Sequence, residues 1–127
     1  MITEEDIKRF QEEIQEPSPV TQMVEEFATT MGQSPDPEMS ISLIHEEYVE
    51  WMRAPFTDDE LKELSDLVYV VYGYARSRGW DLDEAIRRVH KNNMERCVWP
   101  DGSVKRREDG KILKNPKARK VDLSDLV

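Results

Sequence analysis

Apolar residues recur every three to four positions over most of this chain, the spacing that places side chains on one face of an α-helix. The first such stripe consists of Ile7, Phe10 and Ile14 and ends before two prolines, which stop a helix. A second stripe runs from about Val20 to just before Gly32. The pattern therefore predicts two helices in the N-terminal part of the chain.

Two longer helices are predicted in the middle of the chain. The third helix covers about residues 38–53 and ends before Pro55. Thr57 and Glu60 have the spacing of a capping box, in which each side chain accepts a hydrogen bond from the backbone N–H of the other residue. They predict the start of a fourth helix, which continues to about residue 78 and ends at Gly79.

The fifth predicted helix leads into a segment of a different kind. Asp81 and Glu84 repeat the spacing of the capping box, and the apolar stripe that should face inward is Leu82, Ala85, Ile86 and Val89. In residues 99–114, "WPDGSVKRREDGKILK", two Asp-Gly pairs flank a short alternating stretch, which is typical of a hairpin. We therefore predict an all-α helical bundle with a short C-terminal β-hairpin or extended arm.

The length of the chain limits this fold to one modest domain. With 127 residues and 38% hydrophobic content, we expect a single domain over residues 1–127, completed by oligomerisation. Its helical core covers about residues 20–98, and the hairpin and tail cover about residues 99–127. We expect a cytosolic protein, because the sequence has neither an apolar run of membrane-spanning length nor a secretory leader. Cys97 is the single cysteine, which excludes an internal disulfide.

The charge is unevenly placed along the chain. Residues 1–104 hold 10 basic and 23 acidic side chains, whereas residues 105–127 hold 8 and 4, so that the body is acidic and the tail basic. An acidic body repels nucleic acid, which argues against a nucleic-acid partner. The same charge suits a protein that gathers divalent metal ions.

Acidic side chains lie at the edge of the apolar face on the third predicted helix. Glu46, Glu47 and Glu50 share an arc about 100° wide, next to the apolar face that includes Trp51. This run has two interpretations, a metal site or a solvated helix face. Trp51 likewise has two interpretations, a packing residue or a surface on which a nucleobase stacks.

The fourth predicted helix carries Glu63 and Asp66 within the apolar stretch "KELSDLVYVVYGYA". An acid in a helix that is apolar nearly all round must be paired, protonated or bound to a metal. If this helix packs beside the third, the acids of both helices converge and require a positive partner. Mg²⁺ is the natural candidate, because it prefers hard oxygen ligands and shares them with phosphates.

The fifth predicted helix carries complementary groups. Asn93 and Arg96 continue its stripe, with Lys91 and Asn92 nearby, and such basic and amide groups bind phosphate and sugar. Two interpretations stay open here. Arg96 or Lys91 either contacts a substrate phosphate or holds the acids in a structural salt bridge. Iron is disfavoured, because neither histidine follows a glutamate at the ExxH spacing of di-iron bundles.

With these residues in place, the sequence resembles the all-α nucleoside triphosphate pyrophosphohydrolases, which include MazG, dimeric dUTPases and phosphoribosyl-ATP pyrophosphohydrolase. Their signature is ExxE followed by ExxD, matched here by Glu47 with Glu50 and by Glu63 with Asp66. The segment "VHKNNMERC" and the Asp-Gly-rich stretch after it resemble the MazG-like branch common in bacteriophages. The resemblance covers about residues 20–115.

The resemblance implies a role for each of these residues. The four signature acids would be Mg²⁺ ligands, with Mn²⁺ as a substitute, and Glu46 would be an outer or base residue. Asn93 would contact nucleotide or phosphate, and Arg96 stands where related sequences often have lysine. Together with Trp51, Lys91 and Asn92 from the preceding analysis, they form the predicted substrate-binding set. The family fold dimerises, and sometimes forms tetramers, with substrate near the subunit interface.

The function implied is Mg²⁺-dependent hydrolysis of a nucleoside triphosphate, with a deoxynucleotide favoured, to the monophosphate and pyrophosphate. The setting would be the bacterial cytoplasm, for a gene of the cell or of a phage. One alternative is hydrolysis of phosphoribosyl-ATP or another pyrophosphate on the same scaffold. The other is a non-catalytic helical module that binds a partner or nucleic acid through the basic tail.

Overall fold

The computed structural model describes residues 1–6 and 16–127 of the chain. At its start, Thr3 and Asp6 form a capping box, since each backbone N–H donates to the other side chain at 2.9 Å and 3.1 Å. The predicted stripe of Ile7, Phe10 and Ile14 lies outside the described residues. Within the described ranges, no helix has both the length and the apolarity needed to cross a membrane.

The second to fifth predicted helices are confirmed, and we label them α1 to α4. Their bounds are Pro19–Thr30 (α1), Pro37–Met52 (α2), Glu60–Arg78 (α3) and Leu82–Cys97 (α4). A short 3₁₀ turn, Ser124–Leu126, follows near the C-terminus. The all-α class is therefore confirmed.

Three of these helices begin at a side chain that accepts a hydrogen bond from their first turn. Ser18 caps α1, Asp36 caps α2 and Asp81 caps α4, each accepting the N–H three residues on at 3.0–3.2 Å. The polar residue before each apolar stripe thus fixes where the helix starts.

The capping box predicted for α3 is wrong. The Thr57 hydroxyl donates to the Ala54 carbonyl at 2.9 Å, and Glu60 Oε2 accepts the Phe56 N–H at 2.8 Å. The physical reason is the sharp turn after α2, in which Phe56 has a left-handed φ of 61°. This turn uses both side chains, so that Glu60 is the first residue of the helix rather than its third.

The described chain divides into two compact units, Met1–Gly79 and Trp80–Val127, and the single-domain organisation stays a prediction. In the first unit, α2 and α3 pack along each other and α1 packs against α3. The contacts between α1 and α3 include the edge of Phe27 against Tyr69, with ring centroids 5.9 Å apart, and an ion pair between Glu25 and Arg76 at 2.6 Å.

The apolar surface of the first unit is only partly covered. Its buried apolar residues are Val24, Ala28 and Ala75, each 4–5% exposed, and none of the described side chains is fully buried. In this unit taken by itself, α3 is half-buried over much of its length rather than fully buried, and Val68 is 43% exposed. Tyr48 on α2 is 47% exposed. The described helices of this unit therefore carry apolar surface that they do not bury against one another.

In the second unit, the C-terminal tail lies along a polar face of α4. Arg88, Asn92 and Arg96 are spaced four residues apart and so share this face. Each contacts the tail: Arg88 forms an ion pair with Asp125, the Asn92 side-chain amide donates to a backbone carbonyl at 2.7 Å, and the Arg96 carbonyl accepts a backbone N–H at 2.8 Å. The tail supplies polar partners, so the polar face of α4 is the one it covers.

The predicted inward stripe of α4 is consequently wrong in part. Ile86 is 48% exposed and Val89 is also exposed, whereas Asp83 and Asn92 are buried. The predicted hairpin is reduced to one antiparallel bridge, between Arg106 and Ile112, closed by a turn at Gly110. No strand occurs in the part of the chain that the structure describes.

Candidate metal centre

Two helices of the first unit bring three glutamates together. Glu47 and Glu50 lie one turn apart on α2, and Glu63 lies in the first turn of α3. One carboxylate oxygen from each lies within 4.8 Å of the other two. We call these three residues the carboxylate cluster. The i, i+3 spacing on α2 and the packing of α3 beside it place the three side chains in one crevice.

Two oxygens of the carboxylate cluster are buried without a partner. Glu47 Oε2 and Glu63 Oε2 accept no hydrogen bond from the described residues. The Glu63 side chain is only 18% exposed, so water reaches it poorly. A buried acceptor without a donor costs free energy, and a carboxylate costs more than a neutral group. The cluster therefore fits a cation as its missing partner.

The pKa values within the carboxylate cluster lead to the same conclusion. Burial raises the pKa of Glu47, and the neighbouring Glu50 carboxylate raises it further. Burial also raises the pKa of Glu63; the Lys62 ammonium opposes this effect, and Glu50 adds to it. Both glutamates are thus destabilised as anions, as expected where like charges gather before a metal ion is bound.

Asp66, the fourth predicted ligand, is held differently. Its Oδ2 contacts Lys62 Nζ at 2.6 Å, and the same ammonium lies 3.7 Å from Glu63 Oε1. Asp66 is close enough for its charge to raise the pKa of Glu47 but is not part of the three-oxygen cluster. Lys62 was missed by the sequence reasoning, although its i, i+4 spacing to Asp66 is a signal that could have found it.

The remaining predicted site residues of the first unit lie on α2. Glu46 is exposed, next to the cluster in sequence but outside it. Trp51 is half-buried, and its ring packs against Tyr48 with centroids 6.1 Å apart and planes tilted by 52°. This contact gives Trp51 a packing role and leaves its contribution to substrate binding a prediction.

The predicted substrate-binding residues of α4 lie in the second unit and differ in their surroundings. Lys91 is exposed and Asn93 is half-buried. The buried Asn92 donates from Nδ2 to the Arg119 carbonyl, so this amide already holds the tail. Arg96 Nε is buried and has no acceptor among the described residues. Of these four residues, Arg96 is the one with an unsatisfied hydrogen-bond donor, which an anion would satisfy by accepting the hydrogen bond.

The donor set of the carboxylate cluster defines the class of metal it could hold. Its oxygens are hard ligands, which suit Mg²⁺ and Mn²⁺, and no histidine or cysteine takes part. The buried and unpartnered oxygens of Glu47 and Glu63 supply the negative charge that such an ion requires. The residues therefore fit a divalent cation.

Comparison with known families identifies the fold. A family model described as phosphoribosyl-ATP pyrophosphohydrolase matches residues 7–93, which include the carboxylate cluster and most of α4. The chain belongs to this family. The resemblance to all-α pyrophosphohydrolases is thereby confirmed, and the chain is a member of a nucleotide pyrophosphohydrolase superfamily of hydrolases.

A solved structure shows a similar fold. It is the MazG-like pyrophosphohydrolase of cyanophage S-2L, bound to dGDP and three catalytic Mn²⁺ ions per active site. The two chains are 22% identical, with a TM-score of 0.54, over 80% of this chain and 97% of the phage chain. No curated protein sequence matches this chain.

Proposed function

We propose that this pyrophosphohydrolase cleaves a nucleoside triphosphate, with a deoxynucleotide favoured, to the monophosphate and pyrophosphate with the help of Mg²⁺. The observation that carries the proposal is the carboxylate cluster, whose buried oxygens on Glu47 and Glu63 have no partner among the described residues. Membership of the family and the Mn²⁺ ions of the similar phage enzyme support the choice of a divalent metal.

The metal-binding residues proposed are Glu47, Glu50 and Glu63, with Asp66 as the fourth. When bound, Mg²⁺ or Mn²⁺ would neutralise this crevice, polarise a phosphate and lower the pKa of a water molecule. The Lys62 ammonium lies 2.6 Å from Asp66 Oδ2, so it competes with a metal ion for this oxygen.

The reaction proposed is attack of water on the α-phosphorus. A bond forms between the water oxygen and this phosphorus, and the bond from phosphorus to the oxygen bridging to the β-phosphate breaks. Pyrophosphate leaves with that oxygen. The proton of the water passes to a carboxylate, for which the exposed Glu46 beside the cluster is the candidate base.

The groups on α4 are proposed to hold the substrate. Arg96 has a buried Nε without an acceptor among the described residues and is the candidate phosphate ligand. Asn92 donates a hydrogen bond to the tail, whereas Lys91 and Asn93 are not held by the tail in this way. We assign phosphate contacts to Arg96 and Lys91, and nucleotide contacts to Asn93, Asn92 and Trp51.

The active form proposed is a homodimer or homotetramer in the bacterial cytoplasm, with a phage-encoded origin as one option. The support is the apolar surface left uncovered in the first unit, where Met39, Ile41 and Phe56 are exposed. A second subunit would cover such side chains at a hydrophobic interface.

One assay tests the reaction and its main alternative. The common ribo- and deoxyribonucleoside triphosphates, and phosphoribosyl-ATP, are each incubated with the protein and Mg²⁺, and the products are separated by chromatography. We expect a monophosphate and pyrophosphate from at least one triphosphate. Turnover of phosphoribosyl-ATP alone would favour the substrate that the family description names. Release of orthophosphate, or no turnover of any of these compounds, would contradict the proposal.

The non-catalytic alternative rests on the basic tail. Residues 105–127 carry 8 basic and 4 acidic side chains. In the second unit, however, part of the tail is held on α4 by Asn92 and Arg88. Binding of the whole protein to DNA that weakens with salt, in the absence of any turnover, would favour this alternative.

A further inference from the structure

The buried side-chain atoms that lack a hydrogen-bond partner are of two kinds, and each kind has its own place. Four such atoms occur among the described residues. The two acceptors, Glu47 Oε2 and Glu63 Oε2, belong to the carboxylate cluster, which fits a cation. The two donors, Arg96 Nε and Trp99 Nε1, lie three residues apart at the C-terminal end of α4. Buried donors of this kind call for an acceptor, as the buried acceptors call for a cation.

Trp99 is held in a tight turn directly after α4. Its backbone N–H donates to the Ser103 carbonyl at 2.9 Å, and its own carbonyl accepts the Gly102 N–H at 2.8 Å. The Lys105 ammonium lies over the indole ring, 4.1 Å from the ring centroid. The two backbone hydrogen bonds fix the main chain of Trp99, and the cation–π contact restrains its ring. The indole N–H is therefore held in place although it has no acceptor among the described residues.

The groups that surround this turn are already engaged. The carboxylate of Asp101 accepts the N–H of Ser103 at 2.9 Å and its hydroxyl at 2.6 Å, so it closes the turn. The carbonyl of Arg96 accepts the Asn115 N–H at 2.8 Å. Free carbonyls at the C-terminal end of a helix repel anions, and this hydrogen bond satisfies one of them. The end of α4 thus offers N–H donors whose acceptor is missing.

The two donors define the ligand that would fit them. An indole nitrogen can only donate, and so can a guanidinium, so the ligand must accept from both. A phosphate group has several oxygens that accept, and arginine binds it through its planar fork. The charges of Arg96 and Lys105 favour a group with more than one negative charge. In a nucleoside triphosphate, the β- and γ-phosphates form such a group and leave together as pyrophosphate.

We propose that Trp99 donates its indole N–H to the pyrophosphate group of the substrate beside Arg96, and that Lys105 is a positioning residue that holds the ring. The inference rests on the proposed function and adds a second donor to its phosphate contacts. Negative charge grows on the pyrophosphate as its bond to the α-phosphorus breaks, so a fixed N–H donor there stabilises the transition state. Trp99 and Lys105 both lie beyond residues 7–93, the part of the chain that the family model matches.

The indole signal of Trp99 tests the contact directly. The chain has three tryptophans, so protein labelled with ¹⁵N at the indole nitrogens gives three N–H signals in a magnetic resonance spectrum. Trp99→Phe and Trp80→Phe identify two of them. We expect pyrophosphate, added in EDTA, to move the Trp99 signal downfield until it saturates and to leave the Trp80 signal in place. Sodium chloride at equal ionic strength should move neither. A Trp99 signal that pyrophosphate does not move, with or without Mg²⁺, would overturn the proposal.

Kinetics test the role of the N–H group. Trp99→Phe removes this donor and keeps an aromatic ring. We expect kcat/KM for the preferred triphosphate to fall about tenfold, and the inhibition constant of pyrophosphate to rise by a similar factor. The melting temperature in EDTA should stay close to that of the wild type, because the N–H has no partner among the described residues to lose. Trp80→Phe makes the same change just before α4 and should alter neither constant.

Variants of Lys105 test its positioning role. Lys105→Met removes the ammonium over the ring and should lower kcat/KM about threefold, whereas Lys105→Arg should restore it, because a guanidinium also binds the face of an indole. Lys111→Met removes one charge elsewhere in the same segment and should leave kcat/KM unchanged. Equal losses in Lys105→Met and Lys111→Met would show a general effect of charge and overturn the positioning role. If Trp99→Phe does not fold, Trp51→Phe and Trp80→Phe assign the Trp99 signal by elimination, and the titration with pyrophosphate decides.

The remaining outcomes separate this inference from the proposed function. If the wild-type protein turns over no nucleotide, the proposed function fails, and the titration with pyrophosphate in EDTA still decides the contact. Tighter binding of pyrophosphate than of inorganic phosphate would support it, and equal binding would overturn the assignment to the pyrophosphate group. If nucleotide is turned over while Trp99→Phe changes neither kcat/KM nor inhibition by pyrophosphate, the inference fails and the proposed function stands. A large drop in the melting temperature of Trp99→Phe with unchanged inhibition would also overturn it, because the acceptor would then belong to the protein.

Discussion

The ammonium of Lys62 lies 2.6 Å from the carboxylate of Asp66, one turn along α3. It also lies 3.7 Å from Glu63, so a cation of the chain itself partly neutralises the crevice. The Lys62 side chain is 68% exposed, and such exposed pairs stabilise a fold only slightly. We therefore expect Lys62 to affect metal binding more than stability, because it repels a divalent ion and contacts one of the proposed metal ligands.

Replacing Lys62 should therefore strengthen metal binding. In Lys62→Met, Asp66 is released and a positive charge is removed, and we expect the Kd for Mg²⁺ to fall by up to about fivefold. The melting temperature in EDTA should stay equal or fall slightly. Calorimetric titration with Mg²⁺ and thermal melts in EDTA measure the two effects. Lys114→Met, at an exposed position of the tail, is the control, and a Kd that rises in Lys62→Met would contradict the competition.

Removing the charge of Glu63 should move stability and activity in opposite directions. Glu63→Gln keeps the shape of the side chain and relieves repulsion within the carboxylate cluster, where burial raises the pKa of Glu63. We expect this variant to be nearly inactive and to melt no lower than the wild type in EDTA. It should also lose most of the increase in melting temperature that Mg²⁺ gives the wild type by mass action.

Near-normal turnover by Glu63→Gln would remove the metal-binding role of Glu63. A large drop in its stability in EDTA would instead indicate that the carboxylate is held by a salt bridge. The exposed Glu38 provides the control, since Glu38→Gln removes one charge in the first turn of α2, away from the cluster.

Much of the fold could be predicted from the sequence because its signals are local. The apolar period and the residues Ser18, Asp36 and Asp81 mark where helices begin, and Gly79 marks where α3 ends, with a left-handed φ of 71°. The start of α3 was mispredicted because Thr57 satisfies the pattern of a capping box while the structure uses it in a turn. A local pattern does not reveal which of two local partners a side chain takes.

The site could be predicted in part for the same reason. The i, i+3 spacing of Glu47 and Glu50 follows from one helix, and the family signature pairs them with Glu63. The role of Asn92 could not be predicted, because its partner is the Arg119 carbonyl, 27 residues away. Burial on α4 was mispredicted because we assumed that the apolar stripe would face inward. The tail instead covers the polar face of this helix.

The raised pKa values of Glu47 and Glu63 predict an unusual dependence of stability on pH. Both lie above the ordinary value of 4.5, so between the raised pKa and 4.5 the folded chain binds protons that the unfolded chain does not. The free energy of unfolding should therefore rise as the pH falls through this window in EDTA. Below it, groups with lowered pKa values, such as Glu25, which is paired with Arg76, reverse the trend.

Comparison with a variant isolates this effect. The double variant Glu47→Gln/Glu63→Gln lacks both titrations, so the wild type should gain stability relative to it as the pH is lowered from neutral. Urea unfolding in EDTA at a series of pH values measures the difference. With Mg²⁺ the sign should reverse for the wild type, because the metal requires ionised carboxylates. A difference between wild type and variant that does not change with pH would contradict the prediction.

The buried amide of Asn92 should hold the tail in place. Asn92→Ala leaves the Arg119 carbonyl without its donor and should cost about 1–3 kcal/mol in the second unit. The loosened tail should be cut faster by trypsin at Lys117, Arg119 and Lys120. Asn93→Ala is the neighbouring control and should not change the cleavage rate. Equal cleavage of wild type and Asn92→Ala would show that this hydrogen bond does not order the tail.

The last prediction concerns Arg96, whose Nε is buried without an acceptor among the described residues. If the missing acceptor is a substrate phosphate, Arg96→Ala should raise KM or lower kcat for the triphosphate and leave the melting temperature in EDTA close to that of the wild type. Arg96→Lys keeps the charge but loses the planar fork, so it should recover part of the activity. Steady-state kinetics and melts in EDTA measure the two quantities.

The alternative for Arg96 is a structural partnership with a buried acid. Arg96→Ala would then leave a buried charge unpaired and destabilise the metal-free protein by roughly 3–5 kcal/mol. Arg96→Lys should restore stability in that case, with kinetics following the amount of folded protein. A drop in melting temperature that matches the loss of activity would therefore contradict the phosphate role. A loss of activity with an unchanged melt would support it, because a phosphate is the partner that the free chain lacks.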